Sequence, residues 1–295
     1  MRKYKKKVGI LGCKGQIGNA LTKELKKKFD LKNFDKNSCN LISKKSIKNI
    51  FKKKFDILIN AAAFTDVEKC EKDKTSCKEI NTNSLILLSK MCFEKKILLV
   101  HFSTDYVFDG GKKVEYTEDD ACNPLSFYGK TKLLGEKIIK ESGCNYLILR
   151  TSWVYGPNKK NFVNTIINKI KDGKDITVVN DQFGTPNSSE FIAKAVERLI
   201  LKNHKTKIFN ISCNGKTSWF NFAKKISKEL DNNYNFPKIK IGKTKTKNTN
   251  YLAKRPLFSK LSNKRLRALD SNFKIYSWQY YLKRYISNSK NFNVK

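Results

Sequence analysis

The chain has 295 residues, 39% hydrophobic and 12% aromatic, enough to build one large or two medium packed domains and to exclude a disordered tail. Lys and Arg number 62 against 26 Asp and Glu, a formal net charge of +36. No stretch approaches the roughly 18 to 20 apolar residues that a membrane-spanning helix needs, so no membrane partner is expected.

The basic start, Met1 to Lys7, leads into Val8-Gly9-Ile10-Leu11-Gly12. That run is too short for a signal-peptide core and reads as a first strand, which gives the expectation of a cytoplasmic protein. A glycine turn and a helix over 16–29 follow, then a short strand ending at Asn33-Phe34-Asp35. A helix over 46–54 precedes the apolar strand 55–60. A helix over 76–95 leads to the strand 97–102. Asn123-Pro124 is the expected start of a helix reaching about Glu141, because Asn suits the N-cap and Pro the first helical position. The strand Tyr146 to Arg150 closes this half. Strands alternating with helices imply a parallel sheet covered on both faces. After Gly156-Pro157 the pattern changes. Helices are expected over 162–171, 188–201 and 218–230, with strands over 176–179 and 208–212. The Lys/Asn/Thr-rich stretch 243–250 reads as an exposed loop. A large nucleotide domain therefore comes first, and a smaller, partly interleaved one after about residue 156.

The eight cysteines include no C-x-x-C pair, and His101 and His204 are the only histidines. A zinc site is poorly supported and a disulfide framework is not needed at this size. The charge invites a nucleic-acid reading, since a positive field attracts polyanions. Only seven of the basic residues are arginines, whereas base readout favours the guanidinium fork. The lysines run along the whole chain beside abundant Asn, Ile and Phe, residues with A/T-rich codons. Composition is the economical explanation, and no specific nucleic-acid partner is expected. The field would still favour an anionic substrate.

Gly12-Cys13-Lys14-Gly15-Gln16-Ile17-Gly18 is G-x-x-G-x-x-G between a strand and a helix. Such a turn lets the backbone approach a pyrophosphate, whose charge then faces the helix N-terminus. Asp35 lies 23 residues beyond Gly12, at the end of the next strand, where an acid can hold an adenosine ribose hydroxyl. Lys36 beside it suits a 2′-phosphate equally, so both NADH and NADPH stay open. Tyr128-Gly129-Lys130-Thr131-Lys132 supplies Y-x-x-x-K, placing Tyr128 and Lys132 on one helical face. A lysine cation beside the phenol lowers its pKa from about 10 and makes it an acid or base near neutrality. Thr104, after the preceding strand, is placed for a third hydrogen bond at the same carbonyl.

These elements resemble the extended short-chain dehydrogenase/reductases, and more narrowly the dTDP-4-dehydrorhamnose reductase family. The matching segments are Asn60-Ala61-Ala62-Ala63-Phe64-Thr65, His101-Phe102-Ser103-Thr104-Asp105-Tyr106-Val107-Phe108-Asp109-Gly110 and the Tyr128–Lys132 motif. Arg150-Thr151-Ser152-Trp153-Val154-Tyr155-Gly156, Asp181-Gln182-Phe183-Gly184-Thr185-Pro186 and Ala253-Lys254-Arg255-Pro256 complete the series in the family's order. The resemblance implies an α/β fold, a Rossmann-type doubly wound parallel sheet with a smaller C-terminal α/β substrate domain. Residues 1–155 would be the NAD(P)-binding domain, to which 185–214 returns, and 156–295 the nucleotide-sugar-binding domain. It further implies reduction of a C4 ketone on a dTDP-deoxysugar by NADPH or NADH.

Under the resemblance Tyr128 would donate the proton, Lys132 would tune it and hold the nicotinamide ribose, and Thr104 would orient the carbonyl. Gly12, Gly15, Gln16, Ile17, Gly18, Asp35, Ala61, Ala62, Ala63 and Thr65 would line the cofactor with Tyr128 and Lys132. Thr104, Asp105 and Trp153 would meet the sugar nucleotide, although an aromatic at a strand end also serves as plain core. The chain departs from the family pattern at Asn40, where an Asp is usual, and at Asn187, where a Thr is usual. Some members hold Mg2+ with acidic residues at a dimer interface. Glu190 matches one position, but residues 271–295 contain no Asp or Glu, so Mg2+ has weak support. A monomer or homodimer is expected. Dehydratases of the superfamily carry S-T-D-E where this chain has Tyr106, which favours simple reduction. A non-catalytic regulatory subunit resembling that of methionine adenosyltransferase is the other alternative, and intact Tyr128 and Lys132 argue against it.

Overall fold

The computed structural model describes residues 5–157, 160–202 and 206–288; His204 and the last residues of the chain lie outside them. The first half runs β1 (Lys7–Leu11), α1 (Gln16–Leu25), β2 (Asp30–Phe34), α2 (Lys44–Ile50) and β3 (Ile57–Asn60). Two short helices, α3 (Val67–Lys72) and α4 (Lys74–Lys78), lead through a π-helical turn at Glu79–Asn83 into α5 (Ser84–Glu94). Then come β4 (Leu98–Thr104), a 3-10 turn at Asp105–Val107, α6 (Phe127–Glu141) and β5 (Tyr146–Thr151). The second half contains β6 (Val154–Tyr155), α7 (Phe162–Lys171), β7 (Ile176–Val179), β8 (Phe183–Gly184), β9 (Asn187–Ser188), α8 (Ser189–Leu201) and β10 (Lys207–Asn210). It closes with β11 (Thr217–Ser218), α9 (Trp219–Asp231), β12 (Ile241–Thr244), α10 (Lys264–Leu269) and α11 (Trp278–Ser287).

Six parallel strands form the main sheet in the order β10-β5-β4-β3-β1-β2. Strands covered on both faces read as unbroken apolar runs rather than alternating ones, and β3, β4 and β5 are buried along their whole length. Alternate side chains still part to the two faces. Val8, Ile10, Leu98 and Val100 join α1 and α8 on one side, while Leu58, Leu99 and Ile148 join α2 and α5 on the other. The chain reverses direction of winding between β1 and β3, and an open α/β sheet binds its ligand outside the carboxyl ends of the strands at such a point. Beyond those ends, β7 and β12 pair in parallel and carry α7, α9 and α11, whose apolar faces continue the first core. Strand β10 extends the main sheet beside β5, and α8 lies along α1.

Several expected boundaries move. Helix α6 begins at Phe127, not at Asn123-Pro124, because the Ser126 hydroxyl caps it by accepting from Gly129 N at 3.2 Å. The helix expected over 76–95 is broken by the π-helical turn, whose buried Asn81 accepts from Phe64 N and donates to Phe64 O. Residues 243–250 are not all loop: Lys243 and Thr244 pair with β7, and Thr246 N and Oγ1 both bond the Asp181 carboxylate. Propensity places Lys, Asn and Thr in loops, and partners 65 residues away override it. All eight cysteines are free thiols. No described helix is long and apolar enough to cross a membrane.

Candidate active site

A cleft of about 1050 Å³ opens over the carboxyl ends of β1, β3, β4 and β5. The glycine turn forms its floor. Gly12 has φ +73°, and a Cβ there would lie 2.8 Å from Ala62 N, so the β1 and β3 ends approach closer than any side chain allows. Gly18 does not line the cleft. A Cβ on it would stand 2.2 Å from Gly12 O, so it seats α1 against the turn. Gly15, Gln16 and Ile17, at the start of α1, line the cleft, and a helix N-terminus is a ready anion site. At the rim Asp35 pairs with Lys14 and accepts from Ser38 N, and these partners hold its carboxyl below the usual range. Lys36 also lines the cleft, so this rim carries two cations around one carboxylate.

Strand β4 ends in Thr104 and runs into the 3-10 turn, so Thr104 and Asp105 sit at the sheet's edge. The Thr104 hydroxyl accepts from Tyr106 N and donates to Asp105 Oδ1 at 3.1 Å, and Tyr128 lines the same cleft. Tyr128 enters from the first turn of α6, which reaches the 3-10 turn only because Gly129 carries no Cβ: one there would lie 2.2 Å from Tyr106 O. Lys132 follows one turn later, buried, with Nζ 3.1 Å from His101 Nε2. Below it, Ser103 donates to Glu136 Oε1 at 2.5 Å, and Arg150 binds both oxygens of Glu136, at 3.0 and 2.7 Å. Bidentate pairing of this kind offsets the cost of burying the two groups together.

The electrostatics differ from the expectation in sign. Burial is the largest influence on the Tyr128 phenol and raises it, and the Asp105 carboxylate adds to the rise. Burial likewise brings the Lys132 ammonium down to about 8. Desolvation disfavours the charged form of each group. Asp105, buried with little solvation, rises to about 7.

Of the residues expected to bind cofactor or substrate, Gly12, Gly15, Gln16, Ile17, Asp35, Ala61, Ala62, Ala63, Thr65, Thr104, Asp105, Tyr128, Lys132 and Trp153 all line this one cleft. Trp153 is more than core. It adopts φ 46°, and its ring stacks on Trp219 with centroids 3.6 Å apart and planes 9° from parallel. A Cβ on Gly184 would lie 2.8 Å from that ring. Sequence reasoning missed Trp219, Phe162, Lys14 and the buried partners of Lys132. Only Lys14 had a signal, its place inside the glycine turn. Glu190 meets Lys194 at 2.8 Å and Arg284 at 3.3 Å, and cations on both sides do not fit a Mg2+ ligand. Among the described residues no group of three or more His, Cys, Asp or Glu converges.

A Rossmann-type sheet, a glycine turn at its switch point and a Tyr-Lys pair over the same cleft define an NAD(P)H-dependent oxidoreductase. A family model described as "RmlD substrate binding domain" matches residues 6–291, and the chain belongs to that family. It is 36% identical over 225 residues to the spore coat polysaccharide biosynthesis protein SpsK of Bacillus subtilis, covering 76% of this chain and 79% of that one. It is 34% identical over 232 residues to the dTDP-4-dehydrorhamnose reductase of Escherichia coli, covering 75% and 77%. The crystal structure of dTDP-4-dehydrorhamnose reductase from Bacillus anthracis in complex with NADP superposes with a TM-score of 0.91 at 31% identity, over 97% of this chain and all of that one. The resemblance read from the motifs is thus borne out.

Proposed function

We propose that the chain reduces the C4 ketone of dTDP-4-dehydro-6-deoxy-L-mannose to dTDP-L-rhamnose with NADPH or NADH, in nucleotide-sugar biosynthesis for cell-surface polysaccharide. The observation that carries this is the convergence of Thr104, Tyr128 and Lys132 on the same cleft as the glycine turn. The likeness to reductases named for that reaction supports it. The reduced nicotinamide supplies a hydride to the ketone carbon. Backbone N–H groups at the α1 terminus hold the pyrophosphate, and Asp35, Lys14 and Lys36 receive the adenosine ribose. Thr104 donates to the carbonyl oxygen. Tyr128 gives its proton to that oxygen as negative charge develops, which completes the alcohol. Lys132 serves the nicotinamide ribose, while Asp105 and Trp153 meet the sugar nucleotide. Residues 1–155 with 185–214 would carry the cofactor, and the remainder the sugar nucleotide.

Tyr106 argues against a dehydratase. Burial raises its phenol to about 12, and Arg255 Nη1 bonds its oxygen at 3.3 Å, so no free acid stands beside Asp105 for an elimination. Reduction of a related dTDP-4-keto-deoxysugar is the second reading, favoured by the spore coat relative, whose name specifies no sugar. The test is NADPH oxidation with dTDP-4-dehydro-6-deoxy-L-mannose and identification of the product. Stoichiometric oxidation yielding the rhamnosyl nucleotide supports the reading. Absence of turnover at saturating substrate, or a product of different configuration, refutes it.

A further inference from the structure

His101 and Asn60 lie side by side in the parallel register of β4 and β3, both buried. Their proton count constrains Lys132. Asn60 Oδ1 accepts from Ala62 N at 3.1 Å, and a backbone N–H can only donate. That contact fixes the amide, so Nδ2 is the group facing His101 Nδ1 at 3.2 Å. An amide NH2 can only donate, so Nδ1 must accept. A neutral imidazole has one acceptor and one donor nitrogen, and its proton therefore sits on Nε2. There it points at Lys132 Nζ, 3.1 Å away. An ammonium has no lone pair with which to accept it; an amine does.

We propose that His101, oriented by Asn60, is a positioning residue that presents its N–H to Lys132 in the cofactor-free enzyme, favours the amine over the ammonium and so weakens the hold of Lys132 on its proton. The proton count does not rest on the reductase reading above. The surroundings agree. From its own helix Lys132 faces Tyr128 one turn before and Glu136 one turn after, and the Glu136 carboxylate is already taken by Arg150 and Ser103. From β4 it faces His101, and from α4 Cys77. Burial lowers His101 well below its ordinary value, which keeps the ring neutral, and brings Lys132 to about 8.

The test is a 13C and 15N titration of lysine side chains in cofactor-free protein, with the Lys132 signal assigned by its loss in Lys132→Met. Lys132 should titrate near pH 8, apart from the bulk lysines at about 10.4. Asn60→Asp replaces the donor with a carboxylate that accepts from Nδ1, moves the ring proton there, and turns Nε2 into an acceptor for an ammonium. The Lys132 midpoint should then rise by at least about one pH unit, a tenfold gain in proton affinity. His101→Gln, whose carbonyl can turn to the ammonium, should raise it too and decides the matter if Asn60→Asp does not fold. A wild-type midpoint above about 10, or one that the folded variants leave unmoved, overturns the proposal. Because the titration is read without turnover, lack of ketone reduction beside an intact titration strikes the reductase reading alone.

Discussion

Tyr128 shares its cleft with Thr104, where hydride delivery to a ketone would leave charge, and burial raises its phenol. Removing a positioned general acid costs about 10² to 10⁴ in rate. Tyr128→Phe keeps the ring, so kcat should fall by such a factor while NADPH binding, followed by fluorescence, persists. Wild-type turnover with a rate-limiting hydride step would move the proton donor elsewhere. Asp105 gives a second residue-scale expectation. Its carboxyl rises from 3.8 to about 7 on burial, so the folded state prefers it protonated. Its contribution to stability is fully present below about 3.8 and is lost as pH rises through about 7. Asp105→Asn should therefore match wild type in urea unfolding near the acid end and exceed it by about 2–4 kcal/mol at pH 8. At the rim, the Lys14–Asp35 pair predicts that Lys14→Met raises KM for NADPH by up to about fivefold, and less for NADH, because a screened surface cation is worth at most about 1 kcal/mol. Equal effects on both would remove Lys14 from the 2′-phosphate.

At the scale of elements, α6 must be held against two neighbours at once. Its N-cap is Ser126, and its middle turns lie on the π-helical turn, where a Cβ on Gly135 would stand 2.6 Å from Asn81 O and 2.5 Å from Leu85 Cδ1. Backbone on one side leaves no room to yield. Gly135→Ala should cost about 1–3 kcal/mol by overpacking, despite alanine's better helix propensity. Thermal unfolding at unchanged or higher Tm would show that the turn gives way. The motif Tyr128–Lys132 was legible as a helical pair, since four-residue spacing fixes one face. The start of the helix was not, because Asn123-Pro124 and Ser126 both satisfy the local rules. The choice falls to Phe127 N, which donates to Glu71 Oε1 at 2.8 Å across 56 residues.

For the whole molecule, the charge of +36 surrounds a cleft that already carries Lys14, Lys36, Lys132 and Lys160. Such a field steers an anionic dinucleotide and raises its association rate, an effect that salt screens. The rate constant for NADPH binding should fall severalfold between 50 and 500 mM salt, over which the Debye length shortens about threefold, with little change in dissociation. Duplex DNA should bind weakly and lose affinity steeply with salt. Nanomolar, sequence-selective binding at physiological salt would overturn the compositional account of the lysines.

The order of strands and helices, the glycine turn, Asp35 at the second strand's end, and the Tyr128–Lys132 pair were all written in local pattern. Each depends on spacing within one or two elements, so a linear sequence carries it. Residues far apart in the chain needed the fold. Lys14 meets Asp35, Trp219 stacks on Trp153, and Asn60 meets His101 only once β1–β2, the two halves of the chain and β3–β4 are in register. The sign of the Tyr128 shift belongs here as well. Spacing alone puts a cation beside a phenol and predicts a lowered pKa. Burial, which no spacing reveals, removes water from both groups and raises the phenol while lowering the ammonium. The sequence pointed to the candidate acid, and the interior sets how firmly it holds its proton.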